Sequence, residues 1–165
     1  MPPLSLYDIT IPIFIHHLKT INNLLDKGEA HVGSDHAATL VNLRLVADMQ
    51  PLSFQVQRVS KISTGVAALV GSAEAITFED NEKTLPELHE RINKTIAYLE
   101  KVDPKSFVDA EDKEVILKNA AGERKFTGSS YVSTFALPNF YFHFVTLYAL
   151  LRKEGVQIGK RDFLT

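Results

Sequence analysis

Residues 138–154 read PNFYFHFVTLYALLRKE, and as a helix this stretch carries apolar side chains on every side: Phe140, Tyr141, Phe142, Phe144, Val145, Leu147, Tyr148, Leu150 and Leu151. At about 100° per residue these cannot all face one core. Any fold of this chain must therefore bury the segment on more than one side, and Gly155 closes it as a C-cap. The second contact falls to the tail or a hairpin of the same chain, or to a second copy. A homodimer interface is expected on this helix, because exposed aromatic patches mark association.

Three further segments carry one-sided stripes. Phe14, Leu18, Ile21 and Leu25 recur at helical spacing and predict a first helix that stops near Gly28, with Pro12 in its first turn or kinking it. The connection over residues 29–48 offers Ser34 or Asp35 as the cap of a short helix reaching Val41, and Asp48-Met49-Gln50-Pro51 forms a turn. Leu52, Val56, Val59, Ile62, Val66 and Leu69 give a second helix its inward stripe, with Arg58 and Lys61 on the wet side and Gly71 at the end. Thr84-Leu85-Pro86-Glu87 matches a capping box, from which Leu85, Leu88, Ile92, Ile96 and Leu99 continue as a third helix.

Asp103-Pro104 breaks this pattern. Residues 114–118 have strand character, Asn119-Ala-Ala-Gly122 offers a turn, residues 124–127 return, and a short helical piece over 131–136 leads into the apolar fourth helix. The expectation is an all-α fold: one four-helix-bundle domain over residues 1–165, with a small β-hairpin between helices three and four.

The chain has no cysteine, so disulfides, thiolate ligands and a cysteine nucleophile are excluded, and any metal must be held by nitrogen or oxygen. Eighteen basic and twenty acidic side chains give a net charge of -2 without long runs of one sign, which argues against nucleic acid as a partner. The opening MPPLSLYDITIPIFIHHL has no basic n-region, and its apolar run is interrupted by Pro12 and followed by two histidines. Neither a signal peptide nor a membrane span is expected, and the protein is read as cytoplasmic.

Of the six histidines, His143 stands apart. With Asn139 and Thr146 it makes a polar stripe along an otherwise apolar helix, and buried polar groups must find partners. Asp48, before the first turn of helix two, and Gln55 lie along the side of Leu52 and Val59 and are its natural partners. This places a carboxylate, an amide and an imidazole near one end of a bundle, a set that suits a divalent metal or a polar small molecule. The alternative is structural: Asp48 caps helix two, Gln55 satisfies a backbone group, and His143 is a hydrogen-bonded core histidine. His17 aligns with Phe14, Ile21 and Leu24 and points inward, while His16 points to solvent; His31, His36 and His89 receive no role. No phosphate loop, nucleophile elbow or calcium loop occurs.

Ala47-Asp48-Met49 with Pro51-Leu52 and Gln55-Val56, the run Leu137-Pro138-Asn139-Phe140-Tyr141-Phe142-His143, and the ending from Leu151-Arg152 to Ile158-Gly159-Lys160-Arg161-Asp162-Phe163-Leu164 resemble, as a set, a bacterial and fungal family of unknown function grouped with the DinB/YfiT-like metalloenzymes. The resemblance spans essentially the whole chain. It implies a four-helix bundle, often dimeric, in which the wider superfamily holds a metal between a histidine near the start of helix two and an HxxxH pair on helix four. Its relatives include thiol-transfer enzymes and mycothiol-dependent isomerases. Position by position, the last histidine looks like His143, the first of the pair is Asn139, and the helix-two position is near Asp48.

Two of three expected histidines are thus replaced. Asp48, Asn139 and His143 remain the candidate ligands of a divalent zinc, nickel or manganese ion, with asparagine a weak neutral donor, or the site works without a metal. His143 and Asp48 are the candidate catalytic groups, and Gln55, Asn139 and Tyr141 the candidate ligand-binding groups. The expected activity is transfer, isomerisation or elimination on a small molecule; the alternative is a non-catalytic ligand-binding or dimerising bundle.

Overall fold

The computed structural model describes residues 4–119 and 122–165, and the architecture is mainly helical with one small antiparallel sheet. Ala120 and Ala121, in the expected hairpin turn, lie outside the described residues. The long helices are α1 (Ile11–Val32), α3 (Leu52–Leu69), α4 (Leu85–Leu99) and α6 (Leu137–Lys153). Short helices α2 (Ala37–Val41), α5 (Gly128–Tyr131) and α7 (Lys160–Leu164) connect and close them, and strands β1 (Glu114–Asn119) and β2 (Gly122–Thr127) form the hairpin. The long helices meet side by side, α3 against both α6 and α4, and α1 against α4, α3 and α6.

The four stripes meet as their spacing predicts. Phe14, Leu18 and Ile21 of α1, Leu52, Val56 and Val66 of α3, Leu88 and Ile92 of α4, and Phe140, Phe144 and Leu147 of α6 are fully buried together. Pro12 sits in the first turn of α1, where a missing N–H costs nothing. Thr84 and Glu87 cap α4 reciprocally: Glu87 Oε2 accepts from the Thr84 N–H at 2.9 Å, and the Thr84 hydroxyl accepts from the Glu87 N–H at 3.4 Å.

Helix α1 does not stop at Gly28. It runs to Val32, and Gly33, at φ +81°, turns the chain out of it. Gly28 instead lets two elements come close: a Cβ there would stand 3.0 Å from Leu151 Cδ2 and 3.2 Å from Leu40 Cδ1. The loop before α4 is held by Arg91, which is buried, stacks on Phe78 at 4.6 Å, and pairs with Asp80 and Glu82, both at 2.8 Å.

The second departure lies ahead of Pro138. Residues 131–136 are not a separate piece: α5, a widened π turn over Val132–Ala136 and α6 form one continuous helix, Gly128–Lys153. Proline lacks an N–H and its ring crowds the preceding turn, so a helix that passes through Pro138 must loosen there. The Ser133 and Thr134 hydroxyls donate to the carbonyls of Ser129 and Ser130, at 2.8 and 2.6 Å, and satisfy acceptors in the loosened stretch.

This helix is long and apolar enough to cross a membrane by length and composition, but its packing is that of a core helix. The tail supplies the second contact: Phe163 of α7 stacks on Phe144 at 4.1 Å and meets Tyr148 at 5.7 Å. The hairpin covers its beginning, with Phe126 against Tyr131 and Phe135. Phe142 and Val145, at 57% and 50% exposure, remain uncovered on one side.

Candidate functional site

The middle of α6 faces the first turns of α3, and this meeting brings His143 to Gln55. Gln55 is buried because its helix position continues the inward stripe. Its amide nitrogen donates to the carbonyls of Gln50 and Pro51 at 3.0 and 3.2 Å, which fixes the orientation of the amide. Oε1 therefore faces His143 Nδ1 at 2.7 Å, and since an amide oxygen only accepts, the proton lies on Nδ1. Nε2 carries the free lone pair. Among the described residues it has no hydrogen-bond partner, and it is not one of the buried atoms left without one, so it opens to the surface.

The ring of His143 packs edge-on against Phe142 and Phe54, at 5.2 and 5.9 Å, and Arg58 lies over Phe54 at 5.0 Å. Burial, and secondarily the positive charge of Arg58, lowers its pKa to about 4. At neutral pH it is an uncharged imidazole of fixed tautomer, held by a carbonyl-type acceptor.

The other expected site residues are distributed around this pair. Asn139, one turn before His143, is half-buried and lines a groove of about 320 Å³ between α3, the π turn and β1. Asp48 is exposed in the turn before α3, with no polar partner among the described residues. Tyr141 points away from His143: two residues along a helix it faces α1, and its hydroxyl meets His17 Nε2 at 3.1 Å. Thr146 donates to the Phe142 carbonyl of its own helix at 2.7 Å. The structure thus joins Gln55 to His143, keeps Asn139 nearby, and leaves Asp48 and Tyr141 apart from them.

His17 is a second, half-buried imidazole, ringed by Phe140, Phe144 and Phe163. Burial, with a smaller push from His16, lowers its pKa to about 4, and its Nδ1 is buried without a partner among the described residues. Among the described residues no group of three His, Asp or Glu side chains gathers around a point where an ion could sit.

The groove beside Asn139 brings in residues that stripes alone do not single out. Arg58 and Lys61 come from α3, Tyr131 and Phe135 from the start of the long helix, and Leu117 and Lys118 from β1. The signal was present as spacing: Gln55, Arg58, Lys61 and Ile62 run down one side of α3, and Tyr131, Phe135, Asn139 and His143 stand four apart. Reading Arg58 and Lys61 as solvated is consistent with their exposure but misses that they face the hairpin.

Comparison with known proteins gives a family. The domain of unknown function DUF1993 matches residues 6–164. A DinB family member protein from Shewanella denitrificans, solved as a crystal structure, is 36% identical, with a TM-score of 0.87 over 97% of this chain and 92% of that one. Among curated proteins nothing matches.

Proposed function

The chain belongs to the DUF1993 family, a DinB-like group, and from that membership we propose that it is a small-molecule enzyme of the DinB/YfiT-like type. In this reading the four long helices are a four-helix bundle forming a single domain, with the reactive end at His143. The observation that carries it is the His143–Gln55 pair: an uncharged imidazole, its Nδ1–H held at 2.7 Å, its Nε2 unpaired among the described residues, one helical turn from Asn139, which lines a groove. Gln55 positions the ring, and Nε2 accepts a proton or a hydrogen bond from the substrate during transfer, isomerisation or elimination. The π turn next to the groove supports the reading, since such turns recur at functional sites.

A metal, which the wider superfamily implies, meets a poor donor set. His143 offers one nitrogen and Asn139 a weak neutral oxygen, while Asp48 is exposed on a turn, and transition-metal sites call for about three protein ligands. These residues do not fit a zinc, nickel or manganese centre, and no step is assigned to one. Elemental analysis of protein purified without chelator checks this: a full equivalent of any transition metal, lost on substituting His143, overturns the metal-free reading.

The reading takes the protein as cytoplasmic, with a small molecule and a second copy of itself as partners and neither nucleic acid nor membrane. Mixed charges along the chain and the packing of the apolar helix support this. Phe142 and Val145, neighbours on the uncovered side of α6, form the expected dimer contact.

A second reading, a non-catalytic ligand-binding or dimerising bundle, is favoured by one observation: a histidine with a pKa of about 4 is a weak base. One experiment can reject the first. Metal-free protein is titrated with a panel of small aromatic acids, amides and thiols while the ring ¹⁵N signals of His143 are followed. The enzymatic reading requires ligands that move Nε2 and lose affinity in His143→Gln; ligands that bind both forms equally reject it.

A further inference from the structure

The groove beside Asn139 has a chemistry of its own. Its volume, about 320 Å³, lies at the small end for ligand sites and exceeds that of the clefts at α1/α7 and α1/α4, each about 280 Å³. Among the described residues no carboxylate lines it, although the chain as a whole is acidic with net charge -2. Arg58 and Lys61, one turn apart on α3, have no acidic partner among the described residues, whereas Lys118 across the groove meets Glu123 at 3.6 Å. Opposite these cations stands an apolar wall. Tyr131 and Phe135 stack at 5.7 Å, and Arg124 lies over Phe135 at 5.5 Å and over Phe126 at 4.9 Å. The Tyr131 hydroxyl accepts and donates to nothing among the described residues and faces the bare Cα of Gly65, where a Cβ would stand 3.6 Å away.

We propose that this groove binds a small amphipathic organic anion, whose carboxylate or phosphate lies between Arg58 and Lys61 and whose aromatic or branched body lies on Phe135 and Tyr131. The inference rests on the reading that this end of the molecule is a small-molecule site, and it names the class of that molecule. An acid group here is met by a guanidinium, an ammonium and a phenol, all donors, and charge-assisted bonds of this kind are the strong ones. The body of the ligand shields them from water, which strengthens them. The acid group also sits within the field of Arg58, whose charge adds to burial in holding the His143 pKa down, so a bound anion favours proton uptake at Nε2.

The test uses the whole chain and three probes of similar shape: 3-phenylpropionate, phenyl phosphate, and the neutral 3-phenylpropanamide. Calorimetry at low salt is expected to give saturable binding of both anions and at least about tenfold weaker binding of the amide, the factor of one lost charge-assisted bond. Arg58→Gln with Lys61→Gln removes the difference between acid and amide while the amide affinity stays unchanged. Equal affinity of acid and amide for the unaltered protein overturns the proposal without need of any variant, as does the absence of saturable binding by either anion. An acid that binds without moving the His143 ring signals supports the groove and refutes the role of His143. An amide that binds as well as the acid and moves those signals does the reverse.

Discussion

Replacing Gln55 by leucine tests the central pair most directly. The leucine removes the acceptor of His143 Nδ1–H and the two bonds from the Gln55 amide to the Gln50 and Pro51 carbonyls. A buried imidazole N–H left unpaired costs about 1–3 kcal/mol, and the lost backbone bonds add about 1 kcal/mol, so Gln55→Leu should destabilise by about 2–4 kcal/mol. His143→Leu leaves the Gln55 carbonyl oxygen unpaired and should cost about 1–3 kcal/mol. The double variant leaves neither group orphaned and should lose only about 1–2 kcal/mol, less than the roughly 3–7 kcal/mol to which the single losses add. Urea unfolding at pH 7 of the four proteins therefore gives a coupling energy of about 2–5 kcal/mol. Single effects that add to within about 0.3 kcal/mol would refute the pairing. So would ring ¹⁵N signals showing the proton of native His143 on Nε2.

Three other outcomes follow from the same geometry. His143 and His17, both at about 4 instead of the usual 6.5, bind fewer protons folded than unfolded between those values, so stability is full above about pH 6.5 and falls as pH drops toward 4. His143→Gln should flatten that fall in a urea-midpoint series over pH 4–7, and an unchanged slope contradicts the burial argument. Gly128→Ala should destabilise by about 2 kcal/mol or more, because its Cβ would stand 1.9 Å from the Ala110 carbonyl oxygen, while Gly28→Ala stays within about 1 kcal/mol of the parent since the Leu151 tip can turn away. Thermal denaturation ranks the two, and a reversed order disproves the packing. Phe142→Arg should convert a dimer to a stable monomer in sedimentation, and a parent chain that is already monomeric at high concentration rejects the dimer reading.

What could be read from the sequence was whatever local chemistry decides. The Thr84–Glu87 cap needs only four residues, and it formed as read. The pairing of Gln55 with His143 follows from two helix periods laid side by side, so spacing found it. Asp48 did not join them, because its place depends on the path of the irregular chain over residues 42–51, and no period describes a turn. Gly28 was ambiguous for another reason. A glycine both ends helices and admits close neighbours, and only Leu151, far along the chain, decides which. Pro138 looked like a helix start because the compensation lies outside it, in the hydroxyls of Ser133 and Thr134.

The π turn over Val132–Ala136 sets the angular phase of the long helix. Twelve residues separate Tyr131 from His143, and a regular helix at about 100° per residue would leave the two roughly 120° apart around its axis. Five residues at about 80° each cut this to roughly 20°. Tyr131, Phe135, Asn139 and His143 thereby fall nearly into one line along the helix. Winding the same residues at the regular pitch would rotate Tyr131 about 100° relative to His143. Tyr131 and the imidazole would then look in different directions with both side chains still present, so the widening of this turn is itself a determinant of the site.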